Sequence, residues 1–196
     1  MWNFKTPGIP DEMFEREENV PITKEEVRVI ALCKARLSSG STVIDVGCGS
    51  GSITVEAAMQ VAPNGKVYAI DQDENAIRLT KENVAKFNIS NIEIIHSKAQ
   101  EVIGKMPDAD AIFVGGTGGD TYDIIKLAYN KLKSKGRIVI DTILIETMYH
   151  TLEAVDELKL VNVDVTQITV AKSRKVSMGT MMLARNPVII IAAEKP

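Results

Sequence analysis

Val43-Ile44-Asp45-Val46-Gly47-Cys48-Gly49-Ser50-Gly51 decides the reading of this chain. An apolar, β-branched run feeds a turn with three alternate glycines, and Ser52 to Gln60 then follows a helical pattern. Glycines spaced this way let the backbone turn tightly and leave room for a ligand against the main chain. Asp71 closes the next β-rich run, Lys66 to Ile70, where a carboxylate at a strand's carboxyl end can accept both hydroxyls of a ribose. A nucleoside-bearing ligand at a strand-turn-helix junction is the expectation.

Working outward, further strands are predicted at Thr42 to Val46, Ile92 to His96, Ala111 to Val114 and Arg137 to Ile140. Helices are predicted over Glu74 to Phe87, Thr121 to Leu132 and Glu146 to Leu158. Such alternation, with nearly continuous apolar strands, implies an α/β fold with a parallel sheet covered on both faces. After Leu160 the helical pattern stops. Val161 to Val170 alternates, Lys172 to Asn186 is polar and methionine-rich, and Val188 to Ala193 is a final apolar strand, so the last two strands are expected to pair antiparallel across a long excursion.

At the other end, residues 1–22 hold Pro7, Pro10, Pro21, Trp2, Phe4 and Phe14, an irregular arm with an apolar anchorage, ahead of a single domain over 23–196. Thr23-Lys24-Glu25-Glu26 has the form of a capping box opening a helix whose stripe is Val27, Ile30, Ala31 and Leu37.

The composition excludes several classes. The chain has 196 residues, 45% hydrophobic and 25% charged, and a net charge of −3, without the basic footprint of a nucleic-acid binder. Four of its basic residues, Lys172, Arg174, Lys175 and Arg185, fall between 165 and 193 with no acidic residue among them, so the rest is more acidic than the mean. This stretch, with Met178, Met181 and Met182, suits either an anionic, broad-faced substrate or a subunit contact. No apolar run is long enough for a membrane span, no leader pattern opens the chain, and a cytoplasmic protein is expected. Cys33 and Cys48 read as free thiols, with no Cys/His spacing for a metal.

Which nucleoside-bearing ligand the loop takes is narrowed by Ser52, which stands where dinucleotide dehydrogenases favour a third glycine. Asp45 ahead of glycines at two-residue intervals resembles instead motif I of the class I S-adenosylmethionine-dependent methyltransferases. That resemblance implies a Rossmann-like, seven-stranded, mostly parallel sheet with an antiparallel last strand. It implies S-adenosylmethionine as cofactor, held by Gly47, Cys48, Gly49, Ser50 and Gly51, with Asp71 on the ribose and the backbone of Ala99, after the His96 strand, on the adenine. Gly115-Gly116-Thr117-Gly118-Gly119-Asp120 follows the fourth predicted strand as an N–H-rich wall suited to anionic groups or to a large flat substrate. Thr117 and Asp120 in this wall, and Asp141 at the end of the fifth predicted strand, are the polar candidates for the substrate site, and no catalytic base is identified.

Gly8-Ile9-Pro10-Asp11, Pro21-Ile22-Thr23-Lys24-Glu25-Glu26-Val27-Arg28, the Asp45 to Gly51 loop and Phe113-Val114-Gly115-Gly116 together resemble the decarboxylating cobalt-precorrin-6B carbon-15 methyltransferases of cobalamin biosynthesis, the precorrin-8W decarboxylase type. The resemblance covers nearly the whole chain. It implies methylation at carbon 15 with loss of carbon dioxide from the ring C acetate, a tetrapyrrole substrate, and a cofactor contact at Thr23. It further implies a homo-oligomer, a tetramer, with a separate carbon-5 methyltransferase as its partner in the pathway. The competing expectations are a tRNA methyltransferase of the same fold, with the basic segment on phosphates, and an NAD-dependent oxidoreductase, which Ser52 disfavours.

Overall fold

A computed structural model describes residues 2–196. Nine strands and six α-helices form in chain order: α1 (Glu25–Ala35), β1 (Thr42–Val46), α2 (Ser52–Val61), β2 (Lys66–Asp71), α3 (Glu74–Lys86), β3 (Ile92–His96), α4 (Ala99–Val102), β4 (Ala109–Val114), α5 (Thr121–Lys131), β5 (Leu132–Thr142), α6 (Ile145–Glu157), β6 (Val161–Ile168), β7 (Ala171–Val176), β8 (Gly179–Ala184) and β9 (Val188–Glu194). Seven strands make one sheet in the order β3-β2-β1-β4-β5-β9-β6. Strands β1 to β5 pair in parallel, and β9 lies antiparallel between β5 and β6. This is the α/β, Rossmann-like arrangement expected, with a mostly parallel sheet and a reversed last strand.

The alternation of side chains along the central strands divides the core. Ile44, Val46, Ile112, Val114, Ile138 and Ile140 pack with Ile124, Ile125 and Ala128 of α5 and Ala154 and Val155 of α6. Val43, Val67, Ala111, Phe113 and Val139 face the other way, onto Val27, Ala31 and Leu32 of α1 and Ile53, Ala57 and Ala58 of α2. Both faces are buried, which is why these strands read as unbroken apolar runs. No helix among the described residues is long and apolar enough to cross a membrane.

The arm packs through Ile9 and Phe14 onto Val55 and Phe87, with Trp2, Met13 and Ile22 beside them. Its polar anchor is Arg28, which has no exposed surface and reaches Glu56, Asp11 and the carbonyls of Thr23 and Ile9. Here the capping-box expectation fails. Helix α1 begins at Glu25, two residues after Thr23, and Lys24 at its N-cap makes no side-chain cap. The Glu25 N–H donates instead to Asp11 Oδ1 at 2.9 Å. Asp11 is buried and held by Arg28, so a fixed carboxylate from the arm takes the place of a local hydroxyl. Glu26, rather than reaching back, pairs with Lys172 at 2.5 Å.

The long excursion before β9 contains structure that its polar composition did not announce. β7 and β8 pair as a separate two-stranded ribbon. With little apolar burial of its own, this ribbon is tied to the body by ion pairs from Lys172 to Glu25 and Glu26 and from Arg185 toward Asp11 and Glu26.

Candidate active site

Two adjoining cavities open at the carboxyl ends of the parallel strands, the edge where ligands of such sheets bind. The smaller, about 160 Å³, is lined by Asp71, Gln72, Ser97, Lys98, Ala99 and Gln100 on one side and by Gly116 to Gly118 and Asp120 on the other. The larger, about 1080 Å³, is bounded by Pro21 to Lys24, the Gly47 loop, the glycine wall Gly115 to Gly119, Asp141 to Leu144, and Arg185 to Asn186. Gly47, Asp71, Gln72 and Gly116 to Gly118 line both.

The three glycines of the first loop have φ of +74°, +54° and +77°, the left-handed region that side chains disfavour. Their spacing also serves close packing. A Cβ on Gly47 would lie 2.1 Å from the Gly115 carbonyl oxygen, and one on Gly49 would lie 2.6 Å from that of Pro21. The turn is therefore pressed against both the exit of β4 and the arm, so its glycines shape the cavity as well as leaving room beside it.

Asp71 joins the pieces at the cavity junction. Its Oδ2 accepts from the Gly49 N–H and its Oδ1 from the Asp73 N–H, both at 2.9 Å. Each carboxylate oxygen keeps a further lone pair for a ligand hydroxyl. Ala99 is the first residue of α4, so its N–H lies outside the helix's own hydrogen bonds, and the residue lines the small cavity. His96 is turned to the Gln72 carbonyl at 3.0 Å. Gln100 closes the far wall by donating to Asp120 at 2.7 Å.

Thr23, Gly47, Cys48, Gly49, Asp71 and Ala99 thus come together around the two cavities, with Gly115 to Gly119, Thr117 and Asp120 opposite. Ser50 and Gly51 stand behind: the Ser50 N–H donates to the Pro21 carbonyl at 3.1 Å, and Gly51 packs on Thr80. Cys48 is buried with its Sγ 3.5 Å from Thr80 Oγ1, and burial pushes its thiol well above the usual range. Of the basic candidates, Arg185 lines the large cavity, whereas Lys172, Arg174 and Lys175 do not.

Sequence reasoning missed Lys24, a second cation on the cavity wall, which it had treated as part of a cap. Burial lowers its pKa, with Asp11 opposing and Arg185 adding to the shift. Two carboxyls depart furthest. Burial raises Asp45 to about 7, against the hydrogen bond from Thr54 and with Asp141 and Asp71 adding repulsion. Burial likewise raises Asp141 to about 6. No cluster of His, Cys, Asp or Glu able to hold a metal occurs among the described residues.

A family model described as a precorrin methyltransferase domain matches residues 12–195. The chain belongs to this family. It is 45% identical over 197 residues, covering 100% of this chain and 99% of the other, to a probable cobalt-precorrin-6B C(15)-methyltransferase (decarboxylating) of Saccharolobus solfataricus. The solved structure of a precorrin 8W decarboxylase from Methanobacterium thermoautotrophicum superposes with a TM-score of 0.89 at 36% identity, covering 94% of this chain and 98% of that one. A SAM-dependent O-methyltransferase of Thermotoga maritima, at 22% identity and a TM-score of 0.78 over 91% of this chain and 68% of that one, shares the fold. Gly47 of the glycine loop and Asp71 of this precorrin methyltransferase family member are among the residues that the fold places beside both cavities.

Proposed function

We propose that this chain is the S-adenosylmethionine-dependent, decarboxylating C-methyltransferase that acts on carbon 15 of cobalt-precorrin-6B, or precorrin-6B, in cobalamin biosynthesis. The observation that carries the reading is the pairing of a small polar cavity with a chamber of about 1080 Å³ through a shared glycine-rich junction. The chamber is at the upper end of ordinary ligand pockets, as a tetrapyrrole requires.

The residues present suit the cofactor. Asp71 offers acceptors to ribose hydroxyls, the Ala99 N–H faces the adenine side, and the Gly47 to Gly51 loop and Thr23 border the amino-acid side. When bound, S-adenosylmethionine supplies an electrophilic methyl on a sulfonium to a nucleophilic carbon. The protein's share is positioning. The glycine wall Gly115 to Gly119 lets a flat macrocycle approach the backbone closely, with Thr117 and Asp120 at its end, while Lys24 and Arg185 face its carboxylates. Ile143, Leu144 and Val188 give the chamber an apolar side.

The proposal takes residues 23–196 as one catalytic domain with residues 1–22 as its arm, working in the cytoplasm. It also includes a homo-oligomeric state, a tetramer, to which Arg174, Lys175 and the exposed Met178 and Met182 of the ribbon contribute from outside the cavity. A separate carbon-5 methyltransferase is its partner in the pathway. Neither alternative is favoured: two of the four cations of the basic segment, Lys172 and Arg185, are paired with acids of α1 and the arm, and the loop lacks the third glycine of a dinucleotide site. Incubation with methyl-labelled S-adenosylmethionine and a precorrin-6B macrocycle tests the reading. Label is expected in the tetrapyrrole; label in tRNA, or in neither, would contradict it.

A further inference from the structure

Decarboxylation of an acetate side chain leaves a proton to be found. The bond between the methylene and the carboxylate breaks, carbon dioxide departs, and the electron pair passes into the conjugated ring system. The methylene carbon must then gain a proton to become a methyl group. Among the carboxyls of the cofactor side, Asp71 is committed to two backbone N–H groups.

One acidic side chain on the cavity wall is uncommitted. Asp141, the last residue but one of β5, is half-buried, followed by Thr142, Ile143 and Leu144 and lining the same cavity as the glycine wall. A Cβ placed on Gly115 would lie 3.9 Å from Asp141 Oδ1 and 3.8 Å from the Gly47 carbonyl oxygen. The carboxyl therefore looks across a side-chain-free gap toward the cofactor loop, where methyl donor and macrocycle meet in the proposed function. Among the described residues no other side chain hydrogen-bonds or ion-pairs with its carboxyl, whose pKa is lowered only by a hydrogen bond from its own backbone.

We propose that Asp141 is the proton donor of the decarboxylation half-reaction, a role that rests on the function proposed above. The carboxyl gives its proton to the methylene carbon as carbon dioxide leaves, and the resulting Asp141 carboxylate regains a proton from water. Replacement of hydrogen by methyl at the bridging carbon releases one proton, so the two halves together need no net acid. Burial holds Asp141 up to about 6, so a donor form is available near neutrality. Asp45, within β1, is the charged group coupled to it by repulsion, and the other ionisable groups on the same cavity wall are Asp71 and Asp73 from the end of β2 and the turn after it, Lys24 ahead of α1 and Arg185 after β8.

The test measures methyl incorporation and carbon dioxide release separately with labelled S-adenosylmethionine and precorrin-6B. In Asp141→Asn, carbon dioxide release is expected to fall about a hundredfold while methyl incorporation changes less than about fivefold, leaving a methylated tetra-pyrrole that keeps its acetate. Carbon dioxide release within threefold of the parent, or equal loss of both halves, would overturn the proposal. A second measurement needs no variant: in the parent enzyme the ratio of carbon dioxide to methyl is expected to fall as pH rises above about 6, and a flat ratio would overturn it. Failure of the parent enzyme to methylate the macrocycle at all would strike the proposed function rather than the role of Asp141.

Discussion

Arg28 and Glu56 form a fully buried ion pair, Nε to Oε1 at 2.6 Å, and the same Glu56 carboxylate accepts the backbone N–H groups of Gly8 at 2.7 Å and Ile9 at 3.0 Å. This pair is how the arm becomes part of the cavity wall. Arg28 also holds Asp11, which caps α1, and the Thr23 carbonyl at the cavity rim. One side chain thus links the arm, α1 and α2.

Replacing Arg28 by Met leaves Asp11 and Glu56 buried without their cation, and removing one partner of such a pair costs about 3–5 kcal/mol. Arg28→Met is expected to lower stability by that amount in urea unfolding. A loss below about 1 kcal/mol would mean that water reaches both acids.

The two glycine clusters differ in what holds them. Gly47→Ala meets both the left-handed φ and a backbone oxygen at 2.1 Å, so a loss of more than about 2 kcal/mol is expected. Gly118→Ala has φ of +61° but open space around the new methyl, and about 1 kcal/mol is expected. Thermal denaturation of the two variants checks the order, and equal losses would contradict it.

Asp71→Ala removes the acceptors proposed for the ribose and also frees the Gly49 and Asp73 N–H groups. Calorimetric affinity for S-adenosylmethionine is expected to fall about a hundredfold, on the order of 3 kcal/mol. Unchanged affinity would remove Asp71 from the cofactor site.

Arg185→Ala is expected to raise KM for the tetrapyrrole roughly tenfold, for one charge-assisted contact, with the Kd of S-adenosylmethionine unchanged. Lys175→Ala, outside the cavity, is expected to leave both alone. Equal effects of the two substitutions would point to general electrostatics instead of a wall contact.

The raised Asp45 gives stability a pH signature. Its folded pKa of about 7 lies above the ordinary 3.8, so the unfolded chain ionises first and folding loses stability as pH rises through that interval. Asp45→Asn keeps an acceptor for Thr54 and is expected to flatten stability between about pH 4 and 7. Unchanged pH dependence would show that Asp45 is ionised in the folded protein.

The central sheet was legible because its signals are local. Val43 to Gln60 carries its own strand, turn and helix, and Asp71 follows at the end of the neighbouring strand. The polar anchor of the arm was not, because it pairs residues far apart: Arg28 reads as an exposed helix position until Asp11 and Glu56 are folded onto it. Lys24 was hidden for the same reason, and the Thr23 cap was a sound local motif displaced by a tertiary carboxylate. The β7–β8 ribbon escaped because its side chains are largely exposed on both faces and so leave no clear burial alternation. Charge grouping found the right neighbourhood in Arg185, yet it did not separate that cavity residue from Lys172, which is paired to α1.

Mass analysis of the tetrapyrrole after one turnover with precorrin-6B and S-adenosylmethionine, run below about pH 6 where Asp141 holds its proton, tests the proposed function most directly. The expected product has gained one methyl in place of hydrogen and lost one carbon dioxide, in equal amounts. A tetrapyrrole that emerges unchanged, or methylated with its full set of carboxylates in the parent enzyme, would contradict it.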